Sequence, residues 1–450
     1  MADFYNRLLE NIILPVGDFI LGTSFISELR KWRIISQLDE TELHRLSLNN
    51  LRKLLVYATA HVPYYKEYSQ KETSSPVDWL KEFPVVDKSY YNNNIDYFLS
   101  APKDKLIPNY SSGSSGVQGV VYMNKKEQSA AQAIQTLLWE WSGYYPGKPI
   151  VQTGITPDRG PVKSLKDRIF RTRYYNAFGL NNKQLSVLLH KQSGLRDYHL
   201  GGYASSLFLL AQTANENAIS NVKFDAVISW GDKMFDHYRK EIEQTFGCKV
   251  YDTYGSTEGT VIAGQRELEY YYLITPHVWL ELLDEKHMDV EDGQIGHVVV
   301  TRLDGYSMPL IRYKNGDLAV RLPRHKYPEK RELAFPLLEK IIGRDTDIVR
   351  TASGKFMIVH FFTGIFEHVP EIRQFRVIQR DLHSIEIEYI PAKGFSELLL
   401  KKVSDNIRSY LKEDFPIIWK SVDVIPPTRS GKPQIIQSFL NLETQSPSLT

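Results

Sequence analysis

The α/β character of this chain is plainest in residues 224–251, which read FDAVISWGDKMFDHYRKEIEQTFGCKVY. An apolar, strand-like run at 224–229 precedes a helix-like run at 236–246, and a second strand-like run follows at 249–251. Strands that alternate with helices are typical of a layered α/β sheet. The same alternation extends from about residue 105 to residue 340, so we predict a large α/β domain in the middle of the chain.

Helical spacing dominates the first hundred residues. Leucine and alanine recur at that spacing over residues 43–58, and His61-Val62-Pro63 stops the run. Toward the end of the large domain, GHVVVT at 296–301 and DLAVRL at 317–322 read as strands joined by turns. These runs predict that a helical region opens the chain and that a more β-rich lobe ends the large domain.

Beyond residue 343 the pattern changes to short β segments around one helix-like run at 396–411. This composition is typical of a small α+β domain. We therefore predict three regions: a helical N-terminal region at 1–104 that is part of the large domain, the large-domain core at 105–343, and a small C-terminal domain at 344–450.

The composition is that of a folded protein with a large core. The chain has 450 residues, of which 42% are hydrophobic and 24% are charged. Its 55 lysines and arginines nearly balance 53 aspartates and glutamates, which leaves a formal net charge of +2 and argues against a nucleic-acid partner. The single cysteine, Cys248, rules out an intramolecular disulfide and a multi-thiolate zinc site. A reducing, cytoplasmic location is therefore expected.

The apolar stretch at residues 8–26 is interrupted by Glu10, Pro15 and Asp18, and it lacks a basic start followed by a small-residue cleavage site. It is predicted to be neither a signal peptide nor a membrane span. Two alternatives are open: an amphipathic helix on a membrane surface, or a helix that covers part of the core or a pocket mouth. We favour the second, because lysine and arginine do not line the polar side of the stretch.

A stretch rich in serine and glycine reads YSSGSSGVQG at residues 110–119. Glycines let the backbone approach a ligand, and hydroxyl and N–H groups donate to anionic oxygens, so such a stretch can wrap a phosphate. It is not a Walker loop, because no Gly-Lys-Ser/Thr follows. Taken alone, such a stretch is more often a flexible connector.

A second motif, YGSTEG at residues 254–259, comes directly after the strand-like run at 249–251. In an α/β sheet, ligands bind at loops that leave the carboxyl ends of strands. A tyrosine there can stack on a flat base, a hydroxyl can reach a phosphate, and a lone carboxylate can hold Mg²⁺. A surface turn with a solvated Glu258 is the alternative.

Three weaker fragments follow: RYKNGD at 312–317, GRDTD at 343–347 and SGKP at 430–433. A carboxylate such as Asp317 at a strand edge can accept two hydrogen bonds from adjacent ribose hydroxyls, and a lysine on a loop can neutralise charge on a phosphoryl group. Each fragment alone is also typical of an ordinary turn or a solvent-exposed loop.

In this order and spacing, the motifs resemble the signature series of the adenylate-forming ligase superfamily. More narrowly, the chain is similar to the phenylacetate-CoA ligase family and its CapK, or coenzyme F390 synthetase-like, branch. The resemblance extends from about residue 51 to residue 442, and it includes VPYY at 62–65, FPVVDK at 83–88 and GYASS at 202–206. Several ordered motifs are far more specific than any one of them.

The resemblance implies a large N-terminal adenylate-forming domain and a small mobile C-terminal domain that carries a catalytic lysine loop. ATP and Mg²⁺ are the implied cofactors, and coenzyme A is the implied acyl acceptor. The Ser/Gly loop would hold the β and γ phosphates of ATP through Ser111, Ser112, Gly113, Ser114, Ser115 and Gly116.

The resemblance also implies the residues that would bind the nucleoside. Tyr254 would lie against the adenine, next to Gly255 and Ser256, and the segment WGDK at 230–233 occupies the place of the family's adenine segment. Asp317 would bind the ribose hydroxyls, and Arg344 would add a ribose or phosphate contact. The members of these segments assigned to the nucleotide are Gly231, Asp232, Tyr254, Gly255, Ser256, Asp317 and Arg344.

Three residues carry the chemistry in this interpretation. Thr257 would contact the α phosphate, Glu258 would ligate Mg²⁺, and Lys432 would reach both the carboxylate and the α phosphate during adenylation. Because Lys432 belongs to the small domain, we expect a hinge near residues 343–347 that presents either Lys432 or the turn at Gly354 to the site.

Three positions depart from the family pattern. The usual proline after the Ser/Gly loop is Gln118, the glutamate of the adenine segment is Lys233, and the hinge aspartate falls on Thr346, with Asp347 beside it. These departures leave the substrate branch and the hinge position open. Some relatives carry a thiolate zinc site that one cysteine cannot build, so Mg²⁺ is the only metal expected.

The expected reaction is attack of a small-molecule carboxylate on the α phosphorus of ATP, which gives acyl-AMP and pyrophosphate, followed by acyl transfer. A sugar amine or a carrier protein would be chemically equivalent to coenzyme A as acceptor, and the CapK branch implies a place in capsule or O-antigen polysaccharide biosynthesis.

The acyl pocket is expected between residues 202–210 and the strand that enters Tyr254. His199 and His277 are assigned no catalytic role, since a lone histidine is usually structural. The residues identify neither the carboxylic acid nor the oligomeric state.

Two rival functions come from other classes. A non-catalytic adenylate-binding or scaffold protein of a surface-polysaccharide system would keep the fold and lose turnover, but it would need neither Glu258 nor Lys432. A sugar phosphotransferase is disfavoured because the chain has no aspartate base motif and no Walker or kinase signature. Carboxylate-dependent pyrophosphate release distinguishes the adenylating enzyme from both rivals.

Overall fold

The structure is a computed structural model, and it describes residues 4–110, 119–154, 160–176, 182–256, 258–344, 348–353, 355–366, 369, 371–426 and 434–440. The described residues form two compact units. The second unit consists of Gly316–Ala319 and the described residues from Ile341 onward, and the remaining described residues form the first unit.

Eleven α-helices lie in the described part of the first unit. They are α1 Phe4–Leu8, α2 Leu14–Leu21, α3 Phe25–Ile35, α4 Glu40–His61, α5 Pro76–Lys81, α6 Lys88–Asn93, α7 Lys125–Glu140, α8 Gly160–Ile169, α9 Asn182–Gln192, α10 Ala204–Glu216 and α11 Asp236–Phe246. A π-helical turn, Leu9–Ile13, joins α1 to α2, and 3₁₀ turns lie at Pro63–Lys71, Ile95–Phe98, Lys103–Lys105 and Arg324–Lys326.

The long helix α4 shows how local signals set its ends. Asp39 accepts a hydrogen bond from the Glu42 amide, and the Glu42 side chain accepts one from the Asp39 amide, which is a capping box. At the other end Val62 is extended and Pro63 begins the 3₁₀ turn, because a residue before proline disfavours helical geometry. The helix therefore ends at His61, where the sequence predicts.

Most strands of the first unit belong to one large mixed sheet. The strands up to residue 344 are β1 Val86–Asp87, β2 Ile107–Tyr110, β3 Val120–Met123, β4 Ile150–Gly154, β5 Thr172–Asn176, β6 His199–Gly202, β7 Ala226–Ser229, β8 Val250–Ser256, β9 Thr260–Gln265, β10 Tyr271–Leu273, β11 Val278–Leu283, β12 Ile295–Arg302, β13 Tyr313–Arg321 and β14 Leu337–Arg344. The order in the sheet is β11-β12-β13-β14-β10-β9-β8-β7-β6-β4-β5, β1 pairs with β13, and β2 and β3 form a separate pair.

The strand direction changes at β8. The strands β5, β4, β6, β7 and β8 run parallel, whereas β9 pairs with β8 in the antiparallel sense. Residues 224–251 form β7, α11 and β8 as predicted, and α11 buries Ile242 and Phe246 against this part of the sheet. Gly247 ends α11 with a left-handed φ of +68°, a conformation that glycine adopts without strain.

The second unit, described by itself, has the α+β composition that the sequence predicts. Its main sheet has the order β19-β18-β17-β20, and a separate pair joins β15 to β16. Its elements are β15 Ile348–Arg350, β16 Phe356–Ile358, α12 Val359–Phe366, β17 Ile372–Gln379, β18 Ile385–Pro391, α13 Glu397–Leu411, β19 Ile417–Ser421 and β20 Ile436–Ser438.

The expectation that residues 8–26 cover the core holds only in part. Leu9 and Ile26 are buried, but α2 has no buried side chain at all. Of the apolar residues of α2, Leu14 packs against a core cluster of the first unit, whereas Val16, Phe19, Ile20 and Leu21 are exposed. None of the helices in the described parts of the chain is long and apolar enough to span a bilayer.

Candidate active site

The motif YGSTEG forms the hairpin between β8 and β9. Tyr254, Gly255 and Ser256 end β8, with a bulge between Tyr254 and Gly255, and Glu258 lies in the connecting turn. The turn is closed by a hydrogen bond of 3.1 Å from the Gly259 amide to the Ser256 carbonyl oxygen. The motif thus lies at the carboxyl end of the parallel strand β8, and loops that leave the carboxyl ends of strands are frequent ligand sites in α/β sheets.

Gly259 is required by the space around the turn. Its φ is +78°, and a Cβ at this position would lie 2.6 Å from Arg302 Nη1 and 2.8 Å from Met123 Sδ. Arg302 is itself buried and donates to Asp304 Oδ1 over 2.8 Å. A side chain at residue 259 would therefore displace either a buried guanidinium group or the turn that carries Glu258.

Glu258 is a nearly buried carboxylate, with 8% of its surface exposed. The Tyr313 hydroxyl donates to Glu258 Oε1 over 3.2 Å, and Lys88 Nζ lies 3.7 Å from the same oxygen. A hydrogen bond and a nearby ammonium group offset part of the cost of burying the negative charge. The alternative of a solvated Glu258 on a surface turn is therefore wrong.

Neighbouring strands and a helix cap bring Lys88 to this place. β1 pairs with β13 in parallel, with Val86 opposite Tyr313 and Asp87 opposite Lys314. Asp87 then caps α6 by accepting a hydrogen bond of 2.8 Å from the Tyr90 amide. The helix starts at Lys88, so the strand pairing and the cap together place its ammonium group beside Tyr313 and Glu258.

Lys88 and Tyr313 are therefore site residues that the sequence interpretation missed. Lys88 ends the segment FPVVDK, which supports the family resemblance but receives no role from it. The helix-capping aspartate before Lys88 marks the start of α6, but no local signal connects that start to the YGSTEG turn. Only the pairing of β1 with β13 makes the connection.

Tyr254 has a partner on β13. Asn315 Nδ2 donates to the Tyr254 hydroxyl oxygen over 2.9 Å. This hydrogen bond restrains the ring at the end of β8, where the sequence interpretation expects a base to stack. Asn315 is a second residue that the interpretation did not assign.

The WGDK segment packs against the start of α10. Trp230 stacks on Trp139 at 5.1 Å between ring centroids, and a Cβ on Gly231 would lie 2.6 Å from Tyr203 Cε1. Asp232 Oδ2 accepts hydrogen bonds from the Ser205 amide, at 3.2 Å, and from the Ser205 hydroxyl. An acidic group that accepts from the first turn of a helix stabilises that helix, so Asp232 fixes the loop after β7 to α10.

The aromatic residues around the expected acyl pocket mostly contact one another. Phe208 stacks on Tyr238 at 4.0 Å, and Phe235 meets Tyr238 edge to face at 5.1 Å. A separate cavity of about 950 Å³ opens between α4, α5, β10 and β11, and Leu43, Leu80, Leu273 and Trp279 are among the residues that line it. None of the described residues predicted for the nucleotide site lines this cavity.

Two predicted nucleotide residues of the second unit lie together. Arg344 Nε is 3.1 Å from Asp317 Oδ1, and the Asp317 carboxylate is largely buried while the Arg344 side chain is partly exposed. Asp317 lies in β13 and Arg344 ends β14. The guanidinium group therefore lies beside the carboxylate that is predicted to accept hydrogen bonds from the ribose hydroxyls.

His199 and His277, the two histidines considered in the sequence analysis, both contact residues of the first unit. His277 Nδ1 lies 2.8 Å from Asp304 Oδ2, and the Val261 amide donates to His277 Nε2 over 3.3 Å. Burial alone would raise the pKa of Asp304, but the interactions with His277 and Arg302 outweigh it and hold that pKa below its usual range. His199 Nε2 is 3.2 Å from the Ser142 carbonyl oxygen. These contacts use both rings to connect elements of the first unit.

Comparison with solved structures identifies the fold. A 2-hydroxyisobutyryl-CoA ligase, solved in the postadenylation state in complex with R3-HIB-AMP, matches with a TM-score of 0.70 at 15% sequence identity, over 90% of this chain and 91% of that one. The chain has the fold of an adenylate-forming ligase. The predicted fold class is confirmed.

Sequence comparisons agree with this identification. Residues 348–438 match the family model of the CapK C-terminal domain. Protein CapK of Staphylococcus aureus is 23% identical over 423 residues, which cover 91% of each chain, and phenylacetate-coenzyme A ligase of Pseudomonas putida is 24% identical over 400 residues, which cover 82% of this chain and 88% of the relative. The predicted resemblance to the adenylate-forming superfamily and to its CapK and phenylacetate-CoA ligase branch is confirmed.

Several predicted residues of this ligase fold lie outside the described residues. They are the Ser/Gly loop from Ser111 to Gly116, Thr257, the hinge positions 345–347, Gly354 and Lys432. Their assignments stay predictions. The described members of the predicted site are Gly231, Asp232, Tyr254, Gly255, Ser256, Glu258, Asp317 and Arg344.

The chemistry of Glu258 fits Mg²⁺, which needs few ligands from protein side chains. Within the described ranges, no group of three His, Cys, Asp or Glu side chains could hold a metal ion. Mg²⁺ needs no such group, because it typically takes one or two carboxylates and completes its shell with phosphate oxygens and water. Glu258 supplies one carboxylate at the end of β8 and so fits the predicted ligand.

Proposed function

We propose that this protein is an ATP-dependent ligase that activates a small carboxylic acid as acyl-AMP, releases pyrophosphate and transfers the acyl group to coenzyme A. Its relatives include named coenzyme A ligases, and the solved ligase that it matches was captured with R3-HIB-AMP. Both half-reactions of the proposal are thereby supported by proteins that share the fold.

The observation that carries the proposal is the placement of Glu258. Its carboxylate lies in the turn after β8, where Tyr313 and Lys88 hold it beside the end of the parallel strands. Mg²⁺ bound at Glu258 would neutralise charge on phosphate oxygens. Thr257 and Lys432 are proposed to donate to the α phosphoryl oxygens as negative charge develops on them.

The nucleoside is proposed to bind beside this turn. Tyr254 would stack on the adenine, and its hydrogen bond to Asn315 pre-orients the ring for that contact. The loop at Gly231 and Asp232, fixed to α10, would lie against the same base. Asp317 would accept hydrogen bonds from the ribose hydroxyls, with Arg344 next to it.

Coenzyme A is the proposed acceptor, and surface-polysaccharide biosynthesis is the proposed context. The first rests on relatives that are named as coenzyme A ligases, and the second rests on similarity to CapK over 91% of the chain. The acceptor and the biosynthetic context are more specific proposals than the adenylation reaction, so each needs a test of its own.

The test is ATP–pyrophosphate exchange with a panel of short aliphatic, hydroxy, amino and aryl carboxylic acids. We expect one acid class to stimulate exchange strongly in the presence of Mg²⁺, because exchange reports acyl-AMP formation and needs no acceptor. ATP binding by calorimetry without exchange for any acid would support the scaffold alternative instead. Once an acid is found, mass spectrometry of the product formed with coenzyme A tests the acceptor.

A further inference from the structure

The C-terminal part of the helix α2 presents apolar side chains that the described residues of the first unit leave exposed. Its sequence is LPVGDFIL, and none of its eight residues is buried. Phe19 is 89% exposed and Ile20 is 72% exposed, and the adjacent Leu21 is exposed as well. Phe4 in α1 and Ile12 in the π-helical turn add two more exposed apolar side chains close by in the chain. An exposed apolar cluster of this kind on a folded protein marks an interaction surface.

The polar side chains of this region hold α2 in place. Asp18 accepts hydrogen bonds from the Thr23 hydroxyl, at 2.6 Å, and from the Ile26 amide, at 2.8 Å. Gly22 ends α2 with a left-handed φ of +64°, and the chain then turns into α3. The only acidic side chain of α2 is thus used to anchor the helix. The exposed apolar residues are presented by a fixed element.

Basic side chains from other elements adjoin these helices. Lys125, at the start of α7, donates through Nζ to the Leu21 carbonyl oxygen over 2.8 Å. Tyr5 of α1 donates to the Ile169 carbonyl oxygen of α8 over 2.8 Å, and the Arg171 guanidinium lies 4.1 Å from the centre of the Tyr5 ring. These contacts join α7 and α8, with their lysines and arginines, to the N-terminal helices.

The helix α8 and the residues after it are strongly basic. Residues 160–171 contain four basic side chains and one acidic side chain, whereas the whole chain has a net charge of only +2. Lys163, Lys166 and Arg168 are exposed. In the N-terminal helices, Glu10 pairs with Arg33 at 2.7 Å and Glu28 pairs with Lys31 at 2.7 Å, so these acidic groups are already matched.

We propose that α1, α2 and α8 form a docking surface for a bilayer of anionic phospholipids, and we call it the basic apolar face. Phe19, Ile20 and Leu21 would enter the boundary between headgroups and acyl chains, while the lysines and arginines of α7 and α8 would contact the phosphates. Exposed apolar side chains together with basic ones are what peripheral membrane binding requires. Two copies meeting through this face would bring like charges together, which opposes self-association.

This inference goes beyond the proposed ligase activity and does not depend on it. The expectation from residues 8–26 alone was against a membrane surface, because that stretch has no line of lysine and arginine. The tertiary structure changes this conclusion, since α7 and α8 supply the basic residues from distant positions in the chain.

The test is sedimentation of the full-length protein with vesicles. We expect binding to vesicles of equal parts phosphatidylglycerol and phosphatidylcholine, weaker binding to phosphatidylcholine alone, and a decrease of binding with added salt. Absence of binding to the anionic vesicles would overturn the proposal. Equal binding to both vesicle types at every salt concentration would also overturn it, because the basic side chains would then have no role.

Two pairs of variants separate the apolar from the basic contribution. Phe19→Ser with Ile20→Ser should lower the partition coefficient by about tenfold or more, since two exposed side chains lose their transfer into the bilayer boundary. The matched control is Leu398→Ser with Val424→Ser, which removes two exposed apolar side chains of the second unit and should leave binding unchanged. Lys163→Glu with Lys166→Glu should lower binding to the anionic vesicles, and the control Lys401→Glu with Lys402→Glu should not.

Light scattering after size-exclusion chromatography tests the competing occupant, a second copy of the chain. A dimer that Phe19→Ser with Ile20→Ser dissociates would overturn the membrane proposal and assign the face to self-association. All four variants change exposed side chains, and their circular dichroism and thermal melting should match those of the unaltered protein.

Discussion

A buried carboxylate is costly unless hydrogen bonds and cations surround it. Among the described residues, the Tyr313 hydroxyl donates a hydrogen bond to Glu258, and the Lys88 ammonium group lies 3.7 Å from the same oxygen. Lys88 is too distant for a tight ion pair, and its contribution is that of a nearby charge. Mg²⁺ typically takes one or two carboxylates and completes its shell with phosphate oxygens and water, so one carboxylate at this turn suits the proposed magnesium ligand.

The first prediction is that Glu258→Gln lowers the rate of ATP–pyrophosphate exchange by on the order of a hundredfold while the fold stays intact. Glutamine keeps the shape of the side chain but removes the anionic oxygen that Mg²⁺ requires. The measurement is exchange as a function of Mg²⁺ concentration. Glu291→Gln, at an exposed position, is the matched control and should have normal activity. Normal exchange at low Mg²⁺ in Glu258→Gln would contradict the metal assignment.

The second prediction concerns Tyr313, which we consider a positioning residue. Tyr313→Phe keeps the ring, which packs edge to face on Tyr91 at 5.6 Å, and removes only the hydroxyl that donates to Glu258. Exchange should fall by about tenfold, the usual effect of losing a partner of a metal ligand. The fall should be smaller at high Mg²⁺, which a purely structural defect would not produce.

The corresponding double variant tests whether Tyr313 acts through Glu258. In the Glu258→Gln background, Tyr313→Phe should have little further effect, because its partner carboxylate is already lost. Additive losses in the double variant would show that Tyr313 acts on something other than Glu258.

The third prediction is a pH dependence of stability that arises from His199. Burial, with the nearby Lys148 ammonium, lowers the pKa of His199 from 6.5 to about 4. Between these values the unfolded chain binds a proton that the folded chain does not, so stability falls as pH decreases from about 6.5 to about 4, by about 2–3 kcal/mol in total.

The measurement for His199 is the apparent melting temperature at pH 7 and at pH 4.5. His199→Gln, which cannot titrate, should lose less stability on acidification than the unaltered protein. The exposed His325→Gln variant should behave like the unaltered protein. The same acid sensitivity in all three proteins would show that His199 does not contribute.

Among the secondary-structure elements, the β8–β9 hairpin determines where the turn that carries Glu258 lies. β8 is the last parallel strand, and its pairing with β9 directs the chain back into the antiparallel part of the sheet. The Ser256 and Thr260 hydroxyls are 2.5 Å apart across the base of the turn. Together with the Gly259 amide, they fix a short turn in which a carboxylate can be held in one position.

The fourth prediction tests the space around that turn. Gly259→Ala should destabilise the protein by about 3 kcal/mol or more, because it combines a left-handed backbone with a clash against Arg302 and Met123. Gly143→Ala is the matched control: its φ is +85°, but a Cβ there meets nothing within 4 Å. That variant should lose only about 1–2 kcal/mol from backbone strain. Equal melting temperatures for the two variants would mean that the crowding at Gly259 relaxes freely.

Across the whole molecule, the residues predicted to bind the nucleotide and the metal belong to both compact units. Glu258 and Tyr254 belong to the first unit, and Asp317 and Arg344 belong to the second, each with partners inside its own unit. Charge is also unevenly distributed at this scale, since a chain of net charge +2 carries a strongly basic α8. The net charge of the whole chain therefore does not indicate the charge on the surface of any one helix or strand.

The fifth prediction separates the two half-reactions. Lys432→Ala should abolish ATP–pyrophosphate exchange, because the charge on the α phosphoryl oxygens develops in the adenylation step. Transfer of the acyl group from supplied acyl-AMP to coenzyme A should remain close to normal. Lys393→Ala, an exposed lysine of the same region, is the control for both assays. Equal losses in both half-reactions in a folded protein would show that Lys432 is not specific to adenylation.

Local signals along the chain set the order of the motifs and the kind of element that carries each one. The end of α4 at His61, the succession of β7, α11 and β8, and the turn after β8 all follow from apolar periodicity, capping residues, proline and glycine, which act over a few residues. The ligase family could be predicted for the same reason, because its motifs are local and ordered.

Which side chains meet depends on contacts between segments that are far apart in the chain. Lys88 and Tyr313 reach Glu258 because β1 pairs with β13, and Lys125 and α8 adjoin α2 because distant helices pack together. Strand pairing and helix packing depend on complementary surfaces between segments far apart in the chain, and no spacing within either segment encodes the partner. The position of Glu258 directly after β8 could therefore be predicted from the chain, whereas its environment and the basic apolar face required the fold.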